Sequence, residues 1–328
     1  MNAPVMKAAV YDRYGPAAEV LRVAEIERPE PGPGQIRVRM RLSGVNPTDW
    51  KSRAGATPRP IDGFQIPHHD GVGVIDAVGE GVDGGRVGQR VWTFLAAAGN
   101  RFGTAAQWSV LPSRQAVPLP DGASDELGTC LGVPAMTAHR CLFADGSLDG
   151  KYALVAGGAG AVGHFAVELA KFSGARVATT VSGPQKAELA RQAGADLVVN
   201  YRDAGAADQL RGFAAQLDRI VEVALGANLE LDLALSGPGT HIVAYAAEPN
   251  DPVLPVRKCM NANVALRFVL LYGVPANDLD QAAADIGKAL KDSALTALPI
   301  IRFPLDEVAA AQEAVEAGAV GKVVIEIP

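Results

Sequence analysis

The chain has 328 residues, 48% of them hydrophobic and 20% charged, with a formal net charge of -6. That length exceeds one ordinary hydrophobic core and implies two domains, or one with a long insertion, while the acidic balance weighs against nucleic acid or an anionic membrane and favours a small-molecule partner. Cys130, Cys141 and Cys259 are odd in number and lack C-x-x-C spacing, so neither a disulfide framework nor a cysteine-rich zinc lobe is encoded. Residues 1–7 carry no basic region followed by an apolar core, and no later run is long enough to span a bilayer, so the expectation is an unprocessed, cytoplasmic protein. Residues 7–11, 21–26, 35–43, 71–78, 90–94 and 105–111 read as short strands. Pro/Gly clusters such as Pro29-Glu30-Pro31-Gly32-Pro33-Gly34 punctuate them. They predict a compact antiparallel, barrel-like domain. From Ser124 onward the texture changes: residues 127–143 have helical periodicity, and strands at 152–156, 175–181, 197–200, 218–222, 240–246 and 265–271 then alternate with helices. That alternation predicts an α/β domain with a doubly wound parallel sheet. Residues 303–317 read as one more amphipathic helix, and 322–327 as a strand returning to the first domain.

The stretch with the most chemical content joins the strand at 152–156 to an amphipathic helix. It contains Gly158-Ala159-Gly160-Ala161-Val162-Gly163, with glycines where the backbone must turn tightly and approach a diphosphate, and unpaired N–H groups at the helix start. In a chain with 36 glycines the spacing gains its weight from this strand–turn–helix context. The next strand runs into Ser182-Gly183-Pro184, and the first carboxylate beyond it is Glu188. An NAD site places an acid at this tip to accept the adenosine ribose hydroxyls; a hydroxyl, free backbone N–H groups and Lys186 suit a 2′-phosphate instead. The expected cofactor is therefore NADPH. The alternatives are a plain helix cap for Ser182 and a solvated helix face for Lys186.

Six blocks occur in register: Gly44-Val45-Asn46-Pro47-Thr48-Asp49, Gly71-Val72-Gly73-Val74-Ile75-Asp76-Ala77-Val78-Gly79, Val133-Pro134-Ala135-Met136-Thr137-Ala138, the glycine loop, Lys186-Ala187-Glu188-Leu189-Ala190 with Gly194-Ala195-Asp196, and Gly321-Lys322-Val323-Val324. Together they resemble the medium-chain dehydrogenase/reductase superfamily, most closely its zinc-free quinone oxidoreductases of the zeta-crystallin type. The resemblance implies a GroES-like β-barrel domain (residues 1–125 and 302–328), a Rossmann domain (126–301), an active-site cleft at their junction, and a homodimer formed near residues 264–271. In the zinc alcohol dehydrogenases, which the chain also resembles, a cysteine, a histidine and a third cysteine or histidine hold the metal, with an acid beside the histidine. Here those positions read Asn46, His69 beside Asp70, and Val133. His68, Cys130 and His139 are the other conceivable donors, but zinc chemistry wants three protein ligands and the set is incomplete.

Without a strong electrophile a plain ketone is a poor acceptor, whereas a quinone or an enone spreads the incoming charge. The resemblance accordingly implies NADPH-dependent quinone reduction, with enone or alkenal reduction as the alternative and a crystallin-like structural or RNA-binding role as a second. By the same resemblance Asn46 donates to the substrate carbonyl, the other reading being an Asn-Pro turn. Thr48 stands where the zinc enzymes place a relaying hydroxyl. Lys51 replaces a tyrosine frequent in relatives. Thr137 approaches the nicotinamide ribose, unless it bonds back to its own helix, and Tyr201 stacks near the 2′-phosphate. Tyr245 and Ala246 hold the carboxamide, and Phe268 to Leu270 wall the ring, with a core role as the alternative for Phe268. Lys322 reaches the cofactor phosphate or is a surface lysine, and Trp92 and Trp108 are packing residues.

Overall fold

A computed structural model describes residues 4–248 and 250–328, and its contacts divide the chain into two compact units: Met1–Val133 with Ala297–Pro328, and Pro134–Thr296. In the first unit β1 (Val5–Val10) and β2 (Arg22–Glu27) form an antiparallel ribbon, with the short helix α1 (Ala17–Val20) between them. The main sheet is built on β3 (Gln35–Gly44), which is followed by α2 (Pro47–Ala54), β4 (Asp70–Val78), β5 (Arg90–Thr93), β6 (Trp108–Pro112) and β7 (Ala116–Pro118). β4 and β6 pair antiparallel with β3, β5 with β4, and β7 with β5. Alternation along the strands sends Ile36, Val38, Met40, Ile75, Val91 and Leu111 into one apolar cluster, where each large aliphatic side chain contributes about 1.5–3 kcal/mol by burial. Helix α3 (Asp125–Cys130) packs on β3 and β4, capped by the Ser124 hydroxyl accepting from Leu127 N.

The periodicity of 127–143 is not one helix. α3 stops at Cys130, a π segment (Leu131–Ala135) follows, and α4 (Met136–Phe143) starts the second unit. Pro134 explains the break, since it has no N–H to continue the α ladder.

Among the described residues the second unit has a six-stranded parallel sheet: β8 (Tyr152–Ala156), β9 (Arg176–Val181), β10 (Leu197–Asn200), β11 (Arg219–Glu222), β12 (His241–Ala244) and β13 (Ala265–Phe268), in the spatial order β10-β9-β8-β11-β12-β13. The helices between them are α5 (Ala161–Phe172), α6 (Pro184–Gln192), α7 (Ala206–Phe213), α8 (Leu225–Ala234) and α9 (Val256–Ala262); α10 (Ala276–Lys291) comes last. The chain enters the sheet at β8, works outward through β9 and β10, and returns to β11 on the other side. That reversal between β8 and β11 opens a crevice at the carboxyl ends of the strands, where open α/β sheets bind dinucleotides.

The tail completes the first unit with β14 (Ile300–Pro304), α11 (Val308–Glu316) and β15 (Lys322–Glu326). Phe303 and Pro304, expected to start the tail helix, instead end β14: Pro304 biases Phe303 toward extended backbone, and the helix begins at Val308, four residues after Pro304. β15 pairs parallel with β14 and antiparallel with β3, so the sheet is mixed, where a purely antiparallel one was expected.

Candidate functional site

In the second unit the glycine loop is shaped residue by residue. The left-handed turn after β8 falls on Gly157 (φ 72°), one residue before the G-x-G-x-x-G spacing. Gly157 N and Gly158 N both donate to Thr180 O, at 3.1 and 3.2 Å, which pins the loop to β9. A Cβ on Gly158 would lie 2.1 Å from Thr179 Oγ1, and one on Gly163 would lie 2.2 Å from Gly157 O, so these two glycines serve close packing within the chain. Gly160 is different: it is exposed, and the nearest atom to an added Cβ is 3.4 Å away. Nothing in the protein requires glycine there, which is what close approach of a ligand's phosphate would leave. Gly160 is the N-cap of the twelve-residue α5, no side chain caps that terminus, and Ala161 and Val162 are partly exposed in its first turn. The terminus therefore suits an anion.

At the tip of β9 the α6 N-cap is Gly183, and no side chain caps the helix. Ser182 sits one residue too early, so the cap expected of it is corrected. Lys186 is partly exposed in the first turn of α6, which contains no acid. Tyr201 is 52% exposed; its N–H donates to Val181 O at 3.1 Å, placing it beside the same tip. The nearest acid along β9, Asp196, lies at the other end, where it accepts from Val177 N and pairs with Lys171. Tyr245 and Ala246 follow β12, with Tyr245 N donating to Glu222 O, and Thr137 is buried on α4. Phe268 and Leu270, at the end of β13, are 66% and 69% exposed, so a core role for Phe268 is excluded. His139 pairs with Asp285 at 3.1 Å, within this second unit.

In the first unit Asn46, the N-cap of α2, is buried. Its backbone N–H donates to Asp49 Oδ2 at 2.6 Å, while its side chain points elsewhere: Nδ2 donates to Asp70 Oδ2 at 2.6 Å and Oδ1 accepts from Lys322 Nζ at 2.6 Å. The Asn-Pro turn is thus held by Asp49, leaving the amide for other work. Asp70 also accepts from Val133 N at 2.7 Å and lies 3.5 Å from Lys322 Nζ. Lys322 is 2% exposed, so it is not a surface lysine, and its ammonium is engaged by Asn46 and Asp70. The register explains the meeting. β15 runs antiparallel to β3 with Val324 opposite Gly44, and β4 sets Asp70 opposite Gly44 on the other side. Continuing the first register by two residues brings Lys322 to Asn46. A partnership across so much sequence has no local signal, and the Asn46–Asp70–Lys322 contact was invisible in the sequence.

Burial pushes the Asp70 carboxyl up, opposed by Lys322 and the hydrogen bonds from Asn46 and Val133, and pushes that of Asp49 well above the usual carboxylate range. The neighbouring histidines are held neutral: burial lowers His68 to about 3 and His69 to about 4. His68, left-handed at φ 74°, accepts at Nε2 from Gln312 (3.2 Å), which leaves Nδ1–H to donate to Ser43 Oγ (3.0 Å). The chain continues from Ser43 to Thr104 (2.7 Å) and from Thr104 to the Asp70 carbonyl (2.6 Å). Thr48 is partly exposed on the first turn of α2, and Lys51 is exposed, its ammonium 5.8 Å from the Trp50 ring. Trp92 is fully buried, whereas Trp108 is partly buried and donates to Asp76 at 2.8 Å. Cys130 Sγ donates to Glu126 O.

Residues 32–121 match the alcohol dehydrogenase GroES-like domain, and residues 161–288 match the zinc-binding dehydrogenase domain. The human quinone oxidoreductase is 26% identical over 321 residues, covering 96% of each chain. A chloroplastic quinone-oxidoreductase homologue from Spinacia oleracea is 30% identical over 236 residues, 69% of this chain and 70% of its own. Among solved structures, a mycobacterial quinone oxidoreductase, also solved in complex with NADPH, superposes with a TM-score of 0.84 at 28% identity, covering 98% of this chain and 99% of that one. With a nucleotide-binding sheet in one unit and a GroES-like fold in the other, the chain belongs to the medium-chain dehydrogenase/reductase superfamily of oxidoreductases, in its quinone oxidoreductase branch.

Proposed function

We propose that this oxidoreductase reduces quinones with NADPH and without a catalytic metal. The observation that carries the reading is the Asn46–Asp70–Lys322 cluster: an amide and a buried ammonium stand where a zinc enzyme needs a thiolate and open space. Among the described residues no three His, Cys, Asp or Glu side chains come together as a metal-binding group. A divalent ion at Asp70 would also have to meet the Lys322 ammonium, so the residues do not fit zinc. They do fit a dinucleotide. The Gly160 opening and the bare α5 terminus suit its diphosphate, and the acid-free tip with Ser182, Lys186 and Tyr201 favours NADPH over NADH.

When bound, the reduced nicotinamide supplies the hydride. The protein's part is to stabilise the charge that the acceptor gains. The Asn46 amide has a second N–H beyond the one given to Asp70, and that donor serves the carbonyl oxygen of a conjugated acceptor. Thr48, two residues further on in the first turn of α2, is the hydroxyl we assign to proton delivery. In this reading Thr137, Tyr245 and Ala246 contact the nicotinamide half and Phe268 and Leu270 border its ring, while the exposed edge at β13 makes the protein a homodimer.

A steady-state screen of quinones against enones and simple ketones, with NADPH and NADH, tests the reading together with elemental analysis. Quinone turnover with NADPH and less than stoichiometric zinc are expected. Activity confined to ketones, or lost to a chelator and restored by zinc, overturns it. Turnover restricted to enones moves the assignment to the double-bond reductases.

A further inference from the structure

Lys322 is the one side chain of the Asn46 cluster that the chemistry so far leaves without a task. We propose that Lys322 is a positioning residue, an internal cation that holds the Asn46 amide in its working orientation in place of a metal, and that it makes no contact with the cofactor. The proposal rests on the reading of Asn46 given above.

The geometry leaves the amide one orientation. An asparagine amide can flip, exchanging its donor and acceptor ends, and only its neighbours choose between the two. Here Lys322 Nζ, which can only donate, sits 2.6 Å from Oδ1, and the Asp70 carboxylate sits 2.6 Å from Nδ2. Flipping the amide would set NH₂ against an ammonium and C=O against a carboxylate. Lysine therefore decides which end of Asn46 faces the site.

The surroundings are shaped to admit that lysine. A Cβ on Gly44 would lie 3.0 Å from Lys322 Cε and 2.7 Å from Thr129 O, so a side chain there would press on the lysine stem. A Cβ on Gly132 would lie 2.0 Å from Asp70 Oδ1, so the carboxylate also depends on a bare backbone beside it. The turn before β15 uses Gly321 at φ 125°, where a Cβ would be 2.3 Å from Pro299 O. Lys322 N donates to that same carbonyl at 2.8 Å, which fixes where the lysine side chain begins. A buried ammonium held by a carboxylate and an amide is also an ion group whose partners cannot be removed singly without cost.

The experiment is a cycle on Asn46 and Lys322, read by kinetics, cofactor binding and melting temperature. Lys322→Met should lower kcat for quinone by about tenfold to a hundredfold, the scale of a misplaced catalytic group, with the Kd for NADPH, measured by protein fluorescence, unchanged. Asn46→Ala with Lys322→Met should be no slower than Asn46→Ala alone. Additive losses, or a Kd for NADPH that rises with Lys322→Met, would overturn the proposal, the second outcome returning Lys322 to the cofactor. Because Lys322→Met strands the Asp70 charge, it should melt lower than wild type, and Lys322→Met with Asp70→Asn should regain part of the loss. No regain would show that the two charges are not a pair, and the internal cation fails with it. If the wild type reduces no quinone or enone, the functional reading fails instead, while the melting cycle still reports on the cation.

Discussion

Lys186 lies in the first turn of α6, where the positive end of the helix dipole makes a lysine unfavourable and an acid welcome, yet that turn holds no acid. A bound 2′-phosphate would reverse the penalty by sitting between the ammonium and the helix terminus. Lys186→Ala should then weaken NADPH by about 1.5–3 kcal/mol, the range for a charge-assisted hydrogen bond, and leave NADH nearly unchanged. Equal losses for the two cofactors in titrations would remove Lys186 from the phosphate site. Another single group, Asp232 on α8, is 1% exposed, and burial together with the neighbouring acid Glu222 pushes its carboxyl up to about 9. Its folded value is raised above the unfolded one, so its contribution is complete below the ordinary carboxylate range and is lost as pH rises toward 9. Asp232→Asn should flatten the decline in melting temperature between pH 5 and about 9. An unchanged slope would mean that the pair carries no shared proton. The residue scale is also where sequence reading fell short: Asn46 stood out through its motif, but Lys322 belongs to it only through the register of β15 on β3, which no local pattern encodes.

The strand–glycine–helix element was readable because every part of it is contiguous: the apolar run of β8, the turn and the α5 periodicity adjoin one another, and the structure spans the same residues. What contiguity could not tell was the division of labour among glycines. Positive φ falls on Gly157 and packing on Gly158 and Gly163, while Gly160 has neither task within the chain. This yields a discriminating pair of substitutions. Gly163→Ala must push a Cβ into the Gly157 carbonyl, so it should lower the melting temperature as well as NADPH affinity. Gly160→Ala meets only an atom at 3.4 Å and should spare stability while weakening the cofactor. If Gly160→Ala binds NADPH as wild type does, the diphosphate does not approach this turn. Elements failed to read correctly where one proline outweighed a periodic pattern. Pro134 turned a continuous helix into α, π and α segments, and Pro304 turned the start of the tail helix into a strand.

At the scale of the whole molecule, the outer edge of the parallel sheet needs explaining. Parallel sheets are normally covered, and an edge strand presents unpaired N–H and C=O groups that a second chain can meet. Among the described residues β13 pairs with β12 on one side only, and three of its four residues are exposed. Around it Phe268 is 66% exposed and Leu270 69%, and on the preceding α9 Val256 is 63% and Met260 72% exposed, a concentration of large apolar side chains in one short stretch of chain. Single exposed apolar residues need no account, but a cluster beside an open sheet edge marks an association surface. A second copy related by a two-fold axis would supply the same edge and the same side chains, so the proposed contact is self-complementary and would close as a dimer. Sedimentation equilibrium of the wild type should give twice the chain mass, and Phe268→Glu with Leu270→Glu should give the monomer, because two carboxylates per chain would be buried against their own copies. NADPH affinity measured on the same double variant separates the roles: monomer formation with affinity retained assigns Phe268 and Leu270 to the interface, whereas a dimer with affinity lost assigns them to the nicotinamide. A wild type that sediments as a monomer at tens of micromolar would leave the β13 edge without the partner argued for it.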